Sequence, residues 1–216
     1  MKNGQEWVKN LASKYTSGVA HEFIFYGGIN DYVDHTNDLK SFLSQFLGGR
    51  DLICFFNRAE GVTFPLESMK NLFVEKLGLE KPAPDPSFAA LMAGQEEETE
   101  EVILPRSPAQ ALPLLEKALK LDSKTAIILD FAEMLVPEGD ISTMSSEDRD
   151  SLIFLQRWAR DPLIMSKGNL VILITRNLLD IHSNLRAASS RIEAIAIPLP
   201  TYEERLNYIK FLRKEE

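Results

Sequence analysis

Cysteine is almost missing from this sequence: Cys54 is the only one in 216 residues. An internal disulfide is therefore impossible, and with it the disulfide-framed class of small secreted domains. Cys54 sits inside the apolar run Leu52 to Phe56, where a thiol behaves as a small hydrophobe rather than a nucleophile. Long hydrophobic runs are lacking too. None approaches the roughly 18 residues that a membrane-spanning helix needs, and Met1-Lys-Asn-Gly-Gln-Glu6 has no apolar signal-peptide core. The chain is expected to be cytoplasmic, with no membrane partner. Positive charge is the third shortage. Against 32 Asp and Glu stand 24 Lys and Arg, a formal net charge of −8. That disfavours nucleic acid as the main partner, because its phosphates call for a basic patch.

What is present reads as one domain over residues 1–216. The hydrophobic content of 44% and charged content of 26% are those of an ordinary globular protein. Five apolar runs stand out: His21 to Tyr26, Asp51 to Phe56, Thr125 to Asp130, Asn169 to Thr175 and Ile192 to Ile197. They are short, rich in Ile, Val, Leu and Phe, and read as strands buried on both faces. Helical spacing separates them. Trp7, Val8, Leu11 and Tyr15 share one face, as do Leu39, Phe42, Leu43 and Phe46 behind a cap at Thr36 or Asn37. Pro65 opens a helix closed at Gly78, and Ser107-Pro108 opens one in which Pro113 produces a kink or a delayed start. Ser145 or Ser146 caps a helix carrying Leu152, Leu155, Trp158 and Ala159; a short helix is predicted around 178–188, and a last one follows Thr201. The pattern predicts a three-layer α/β/α sandwich with a five-stranded parallel sheet. Residues 79–106, with their prolines and the acidic run Gln95 to Glu101, read as an exposed insertion.

Open α/β sheets hold their ligands at the C-terminal ends of the strands, so the polar residues there matter most. In order they are Asp130 and Glu133 after Ile127-Ile-Leu, then Thr175-Arg-Asn177, then Leu185-Arg186 and Arg191, then Ile197-Pro-Leu-Pro200 and Tyr202-Glu-Glu-Arg-Leu206. From about Leu121 to Leu212 this order and spacing resembles the second half of the AAA+ ATPase core, a P-loop NTPase fold. By that resemblance Asp130 ends the Walker B strand, Thr175 and Asn177 mark sensor 1, and Arg186 and Arg191 occupy the arginine-finger region. The proline-bracketed segment leads into the helical lid, whose body this sequence lacks. The chain is similar to the degenerate N-terminal module of two-module AAA proteins, and so reads as the N-terminal segment of a longer protein.

The departures from that family are specific. A P-loop requires G-x-x-x-x-G-K-[ST] between the first strand and its helix, with backbone amides and a lysine on the phosphates. Here the position reads Tyr26-Gly-Gly-Ile-Asn-Asp-Tyr-Val-Asp-His35, followed by Asp38, and Asp31, Asp34 and Asp38 would repel a triphosphate. Asp130 is followed by Phe131, not by the glutamate that would polarise water. Hydrolysis by this chain alone is not expected. The resemblance assigns ATP and Mg to the parent protein, and gives as partners an ATPase module in cis or other AAA subunits of a homo-oligomer. Two alternatives stand beside this assembly module. Nucleotide could bind without hydrolysis on the amides of Gly27 and Gly28, or the sheet could carry an unrelated enzyme. The latter needs a nucleophile with its base, or a metal set. His182 shows no such partner, and Asp31, Asp34, His35 and Asp38 lack the glycine and closing glutamate of an EF-hand, so no metal ligand is assigned. Each candidate also has a plainer role. Asp130 could cap a turn, Thr175 and Asn177 could shape one, and Arg186 or Arg191 could pair with an acid such as Glu193.

Overall fold

A computed structural model of the chain describes residues 6–31, 36, 38–79 and 102–215. The apolar runs form β1 (Glu22–Gly27), β2 (Leu52–Asn57), β4 (Thr125–Leu129), β5 (Leu170–Thr175) and β6 (Ile192–Ile197). Every residue of β2, β4 and β5 is buried, as continuous Ile-Val-Leu-Phe runs require when both faces of a sheet are covered. These five strands run parallel, with Ile24 opposite Leu173 on one side and Ala194 on the other.

Among the described residues the sheet has six strands rather than five, and it is mixed. A three-residue strand, β3 (Gly61–Thr63), lies antiparallel to β2 with Thr63 opposite Phe55, and the order is β3-β2-β4-β5-β1-β6. Asn57 creates it. Its Oδ1 accepts the amides of Ala59 at 2.9 Å and Glu60 at 2.8 Å, which reverses the chain, and Gly61 completes the turn with φ +80°. Three residues are too few to show a strand period, so sequence reading passes over them.

Helices cover both faces. Stepping from β1 to β2 crosses the sheet one way, while the steps from β2 through β4 and β5 to β6 cross it the other way; right-handed crossovers therefore place their helices on opposite sides. On one side lie α1 (Glu6–Thr16) and α2 (Leu39–Phe46). Trp7 joins them, edge-on to Phe25 of β1 at 5.4 Å and 5.6 Å from Phe42. The other layer holds α3 (Glu67–Leu77), α4 (Pro108–Lys120), α5 (Ser146–Trp158), α6 (Pro162–Ser166) and α7 (Ser183–Arg186). Within it α4 packs on α3, α5 and α6, and α5 packs on α7. After β6 comes α8 (Tyr202–Glu215).

Several local expectations are corrected. The cap of α2 is Asp38, not Thr36, and Asn37 lies outside the described residues. Helix α3 begins at Glu67, two residues after Pro65. Pro113 does not delay α4, which starts at Pro108 and runs through it. The helix expected over 178–188 is three short turns: a 3-10 turn at Leu178–Asp180, α7, and another 3-10 turn at Ala188–Ser190. Side chains restart it, since Asn177 accepts the Leu179 amide and His182 Nδ1 accepts that of Asn184, each at 3.2 Å. Unanticipated α6 follows from Asp161-Pro162, a cap and first-turn proline. Ser145 caps α5 as expected. Of the stretch 79–106, residues 80–101, including the acidic run, lie outside the described residues; Val102 to Arg106 return to the body, with Leu104 packed on the core.

Buried polar groups are few and mostly paired. Asn169, fully buried, donates to Leu119 O at 2.6 Å and accepts from Thr125 N at 2.9 Å. It thereby ties the end of α4 to the starts of β4 and β5. Cys54 is fully buried in β2, and burial pushes its thiol far above the ordinary range, which leaves it inert. Thr63 Oγ1, Glu133 Oε2, Trp158 Nε1 and His182 Nε2 are buried without a partner among the described residues, and Glu22 of β1 goes further: it is fully buried and neither of its carboxylate oxygens has one.

Candidate functional site

Strands β1 and β5 are neighbours whose onward connections leave toward opposite edges of the sheet. Such a divergence opens a crevice at the C-terminal strand ends, the usual ligand position in this architecture. The structure brings Gly27, Gly28, Thr175 and Asn177 to that end, with Asp130 on the next strand.

The glycine turn is tightly packed. Gly27 N donates to Arg176 O at 3.2 Å, Gly28 N to Ile197 O at 2.8 Å and Ile29 N to Gly27 O at 2.8 Å. Three successive amides thus have acceptors within the protein. A Cβ on Gly27, where φ is +102°, would stand 2.7 Å from Ile197 O, and one on Gly28 would stand 2.9 Å from Pro198 O. The two glycines let the end of β1 press against the backbone leaving β6.

The start of α2 carries a feature that sequence reasoning missed. Asp38 caps the helix with both oxygens, Oδ1 accepting Ser41 N at 2.7 Å and Oδ2 accepting Ser41 Oγ at 2.9 Å. Lys40 and Ser41 thus occupy the first turn of the first helix after β1, where a phosphate-binding Lys-Ser pair would stand. The residue before them is Leu39 rather than glycine. The dipeptide was the available signal, hidden by that missing glycine. A carboxylate of the chain sits where helix N-termini attract anions. The Lys40 ammonium lies 3.3 Å from Glu60 Oε2 and 5.0 Å above the Phe55 ring. Glu60 also accepts from Asn57 Nδ2 at 3.0 Å; that hydrogen bond, with Lys40, holds its carboxyl below the usual range. Asp38→Ala is expected to lower stability by about 1 kcal/mol through loss of the cap, while Asp38→Asn preserves it. In a melt this is a fall of about 2–4 °C for the alanine variant alone.

Asp130 is half-buried and accepts the Phe131 amide at 2.9 Å. Burial raises its carboxyl above the ordinary range, against the pull of that hydrogen bond and of Lys40. Phe131 is left-handed at φ 52°, ψ 47°, with its ring exposed. Glu133 keeps one carboxylate oxygen buried without a partner among the described residues. Thr175 is buried and donates to Asn177 O at 3.2 Å, and Asn177 donates to Asp180 Oδ1 at 3.1 Å, so both side chains hold the turn after β5.

The arginines are separated. Arg186 donates to Ile181 O at 2.6 Å and to Glu138 Oε2 at 2.9 Å, and this contact lowers the Glu138 carboxyl. Glu193 pairs with Lys14 at 2.6 Å, not with an arginine. Arg191 opens β6 at the opposite end of the sheet from Asp130, exposed, in a left-handed conformation at φ 66°. No partner for its guanidinium is found among the described residues. His182 is buried, with Nδ1 accepting from Asn184 N and Nε2 unpaired among the described residues. Among those residues no three His, Cys, Asp or Glu side chains converge as a metal site. Asp34 and His35 lie outside them. No helix among the described residues is long and apolar enough to cross a membrane.

A mostly parallel sheet between two helical layers, with a glycine turn after β1 and an acid after β4, defines a Rossmann-like α/β domain. Residues 5–198 match the family model of the AAA+ chaperone N-terminal Rossmann-like domain, and the chain belongs to that family. No curated protein matches the sequence.

Proposed function

We propose that this domain is a non-hydrolysing assembly or regulatory module of an AAA+ chaperone, working beside an ATPase module that holds the ATP and Mg. That module lies in cis or in neighbouring subunits of a homo-oligomer. The observation that carries the reading is the state of the strand-end crevice. The amides of Gly27, Gly28 and Ile29 donate to carbonyls of the chain itself, and the start of α2 is occupied by Asp38. A triphosphate would have to displace those acceptors and the carboxylate before gaining any contact. Phe131, where a water-polarising glutamate would be needed, can neither accept a proton nor orient water. Arg191, exposed and without an acid of its own among the described residues, is the group available to a neighbouring subunit.

Calorimetric titration of the chain with ATP and Mg tests this. The expected result is no binding heat up to about millimolar nucleotide, equivalent to less than about 4 kcal/mol of affinity. Micromolar binding would overturn the reading and make the 27–41 segment a phosphate site of a new kind.

A further inference from the structure

We propose that the rim formed by residues 131–141 and 177–182 is a docking surface for a basic polypeptide segment with an apolar face. This goes beyond the assembly reading, since it names the surface and the chemistry of what binds there, and it stands whether or not the domain binds nucleotide.

The two segments are one surface. Glu138 N donates to Asp180 O and His182 N to Val136 O, each at 2.9 Å, and Pro137 bridges to Ile181. Beneath them Ala132, Leu135, Val136 and Ile181 are buried and anchor the rim to the core. Between those anchors the chain turns large apolar side chains outward: Phe131 is 56% exposed, Met134 60%, Leu179 62% and Ile141 46%. Phe131 and Met134 share one tight turn, closed by Met134 N donating to Phe131 O at 2.8 Å. Phe131 is also held left-handed, which a bulky aromatic does at a cost. Aromatic and methionine side chains are enriched where proteins bind one another, and methionine adapts to varied partners.

Charge selects the occupant. Asp130, Glu133, Asp140 and Asp180 lie within or beside these segments against Arg176 as the one cation in the same stretches, and Glu138 is offset by its partner Arg186, which reaches the rim. A second copy of the chain would bring a like-charged face and a net charge of −8, and an anionic membrane would be repelled in the same way. A segment with lysines or arginines flanking an apolar stripe meets both the exposed side chains and their acidic surround.

The test uses the chain with three labelled synthetic peptides of about 16 residues, long enough to form a helix. One carries leucines at helical spacing flanked by lysines, one has glutamates in place of the lysines, and one keeps the lysines with serines in place of the leucines. Anisotropy titration is expected to show the first binding at least about tenfold more tightly than either control, and losing affinity as salt rises from about 0.05 to about 0.5 M. Phe131→Asn and Leu179→Ser are each expected to weaken it by about fivefold or more. Asparagine accepts the left-handed backbone, so Phe131→Asn should melt no lower than the parent chain and its loss of binding would be a loss of contact. Equal binding of the acidic peptide, no binding of the basic one, or unchanged affinity in both variants would overturn the proposal. So would a dimer in sedimentation that Phe131→Asn dissolves, which would give the rim to a second copy.

Discussion

Replacing Glu22 by leucine is expected to raise the midpoint of thermal unfolding at neutral pH and to flatten its decline toward alkaline pH. Glu22 lies in β1 between Val171 and Ile192, with no exposed surface and no hydrogen-bond partner for its carboxylate among the described residues. Burial alone pushes its pKa well above the ordinary glutamate range. The native chain therefore keeps this proton at a pH where the unfolded chain has released it. Stability is fully present below the unfolded-state pKa and is lost progressively as pH rises toward and through the raised native value. Every tenfold weakening of the acid on folding corresponds to about 1.4 kcal/mol. An apolar side chain of similar size removes the cost of burying an unpaired neutral carboxyl, about 1–3 kcal/mol. For a domain of this length that is a rise of roughly 2–4 °C per kcal/mol. Calorimetry of both proteins from about pH 5 to pH 9, spanning ordinary glutamate and beyond, decides the matter. A leucine variant that melts lower at neutral pH, with an unchanged pH slope, would mean that Glu22 is satisfied by a group outside the described residues.

Gly27→Ala is expected to be the most damaging single methyl in the strand-end region. The added carbon would lie 2.7 Å from the carbonyl oxygen of Ile197, and the backbone there has φ +102°. Neither partner can yield cheaply, because that oxygen also accepts the Gly28 amide at 2.8 Å and because L-residues avoid this conformation. Combining strain with the loss of β1–β6 contact, about 3 kcal/mol or more of stability should disappear. Gly49→Ala is the control: a Cβ there meets nothing within 4 Å and its φ lies outside the left-handed range, so it should change stability by about 0.5 kcal/mol or less. Urea midpoints for the two variants measure the contrast. Similar midpoints would show that the close approach of β1 to the end of β6 is not what positions the crevice.

These two positions also mark how far sequence alone could carry the fold and the site. Strands β1, β2, β4, β5 and β6 were legible because a run such as Leu-Val-Ile-Leu-Ile-Thr can be buried only with cover on both faces. The β1 run contains Glu22 as well, but that this acid faces no solvent and no partner depends on β5, β6 and the helical layer, which no local pattern reports. Strand β3 was invisible for a similar reason: its burial comes from pairing with β2 and from the returning chain, not from any alternation of its own. At the site, Asn177 and Thr175 could be read as turn residues, and they are. The bond of Arg186 to Glu138 spans 48 positions and left no trace in spacing. The double use of Asp38, as a cap and as the resident anion of α2, was masked because a P-loop is sought through its glycines, and Leu39 precedes the Lys40-Ser41 pair.

The short edge strand β3 has Pro105 and Arg106 so close to Gly61 that not even a methyl group fits between them. An incoming chain would find three residues to align with, already flanked by a proline-containing segment. Lateral growth of the sheet, the route to fibres and strand-swapped aggregates, is blunted on that side. Crowded copies of this domain should therefore stay dispersed through that edge even where heat or concentration loosens the helices around it.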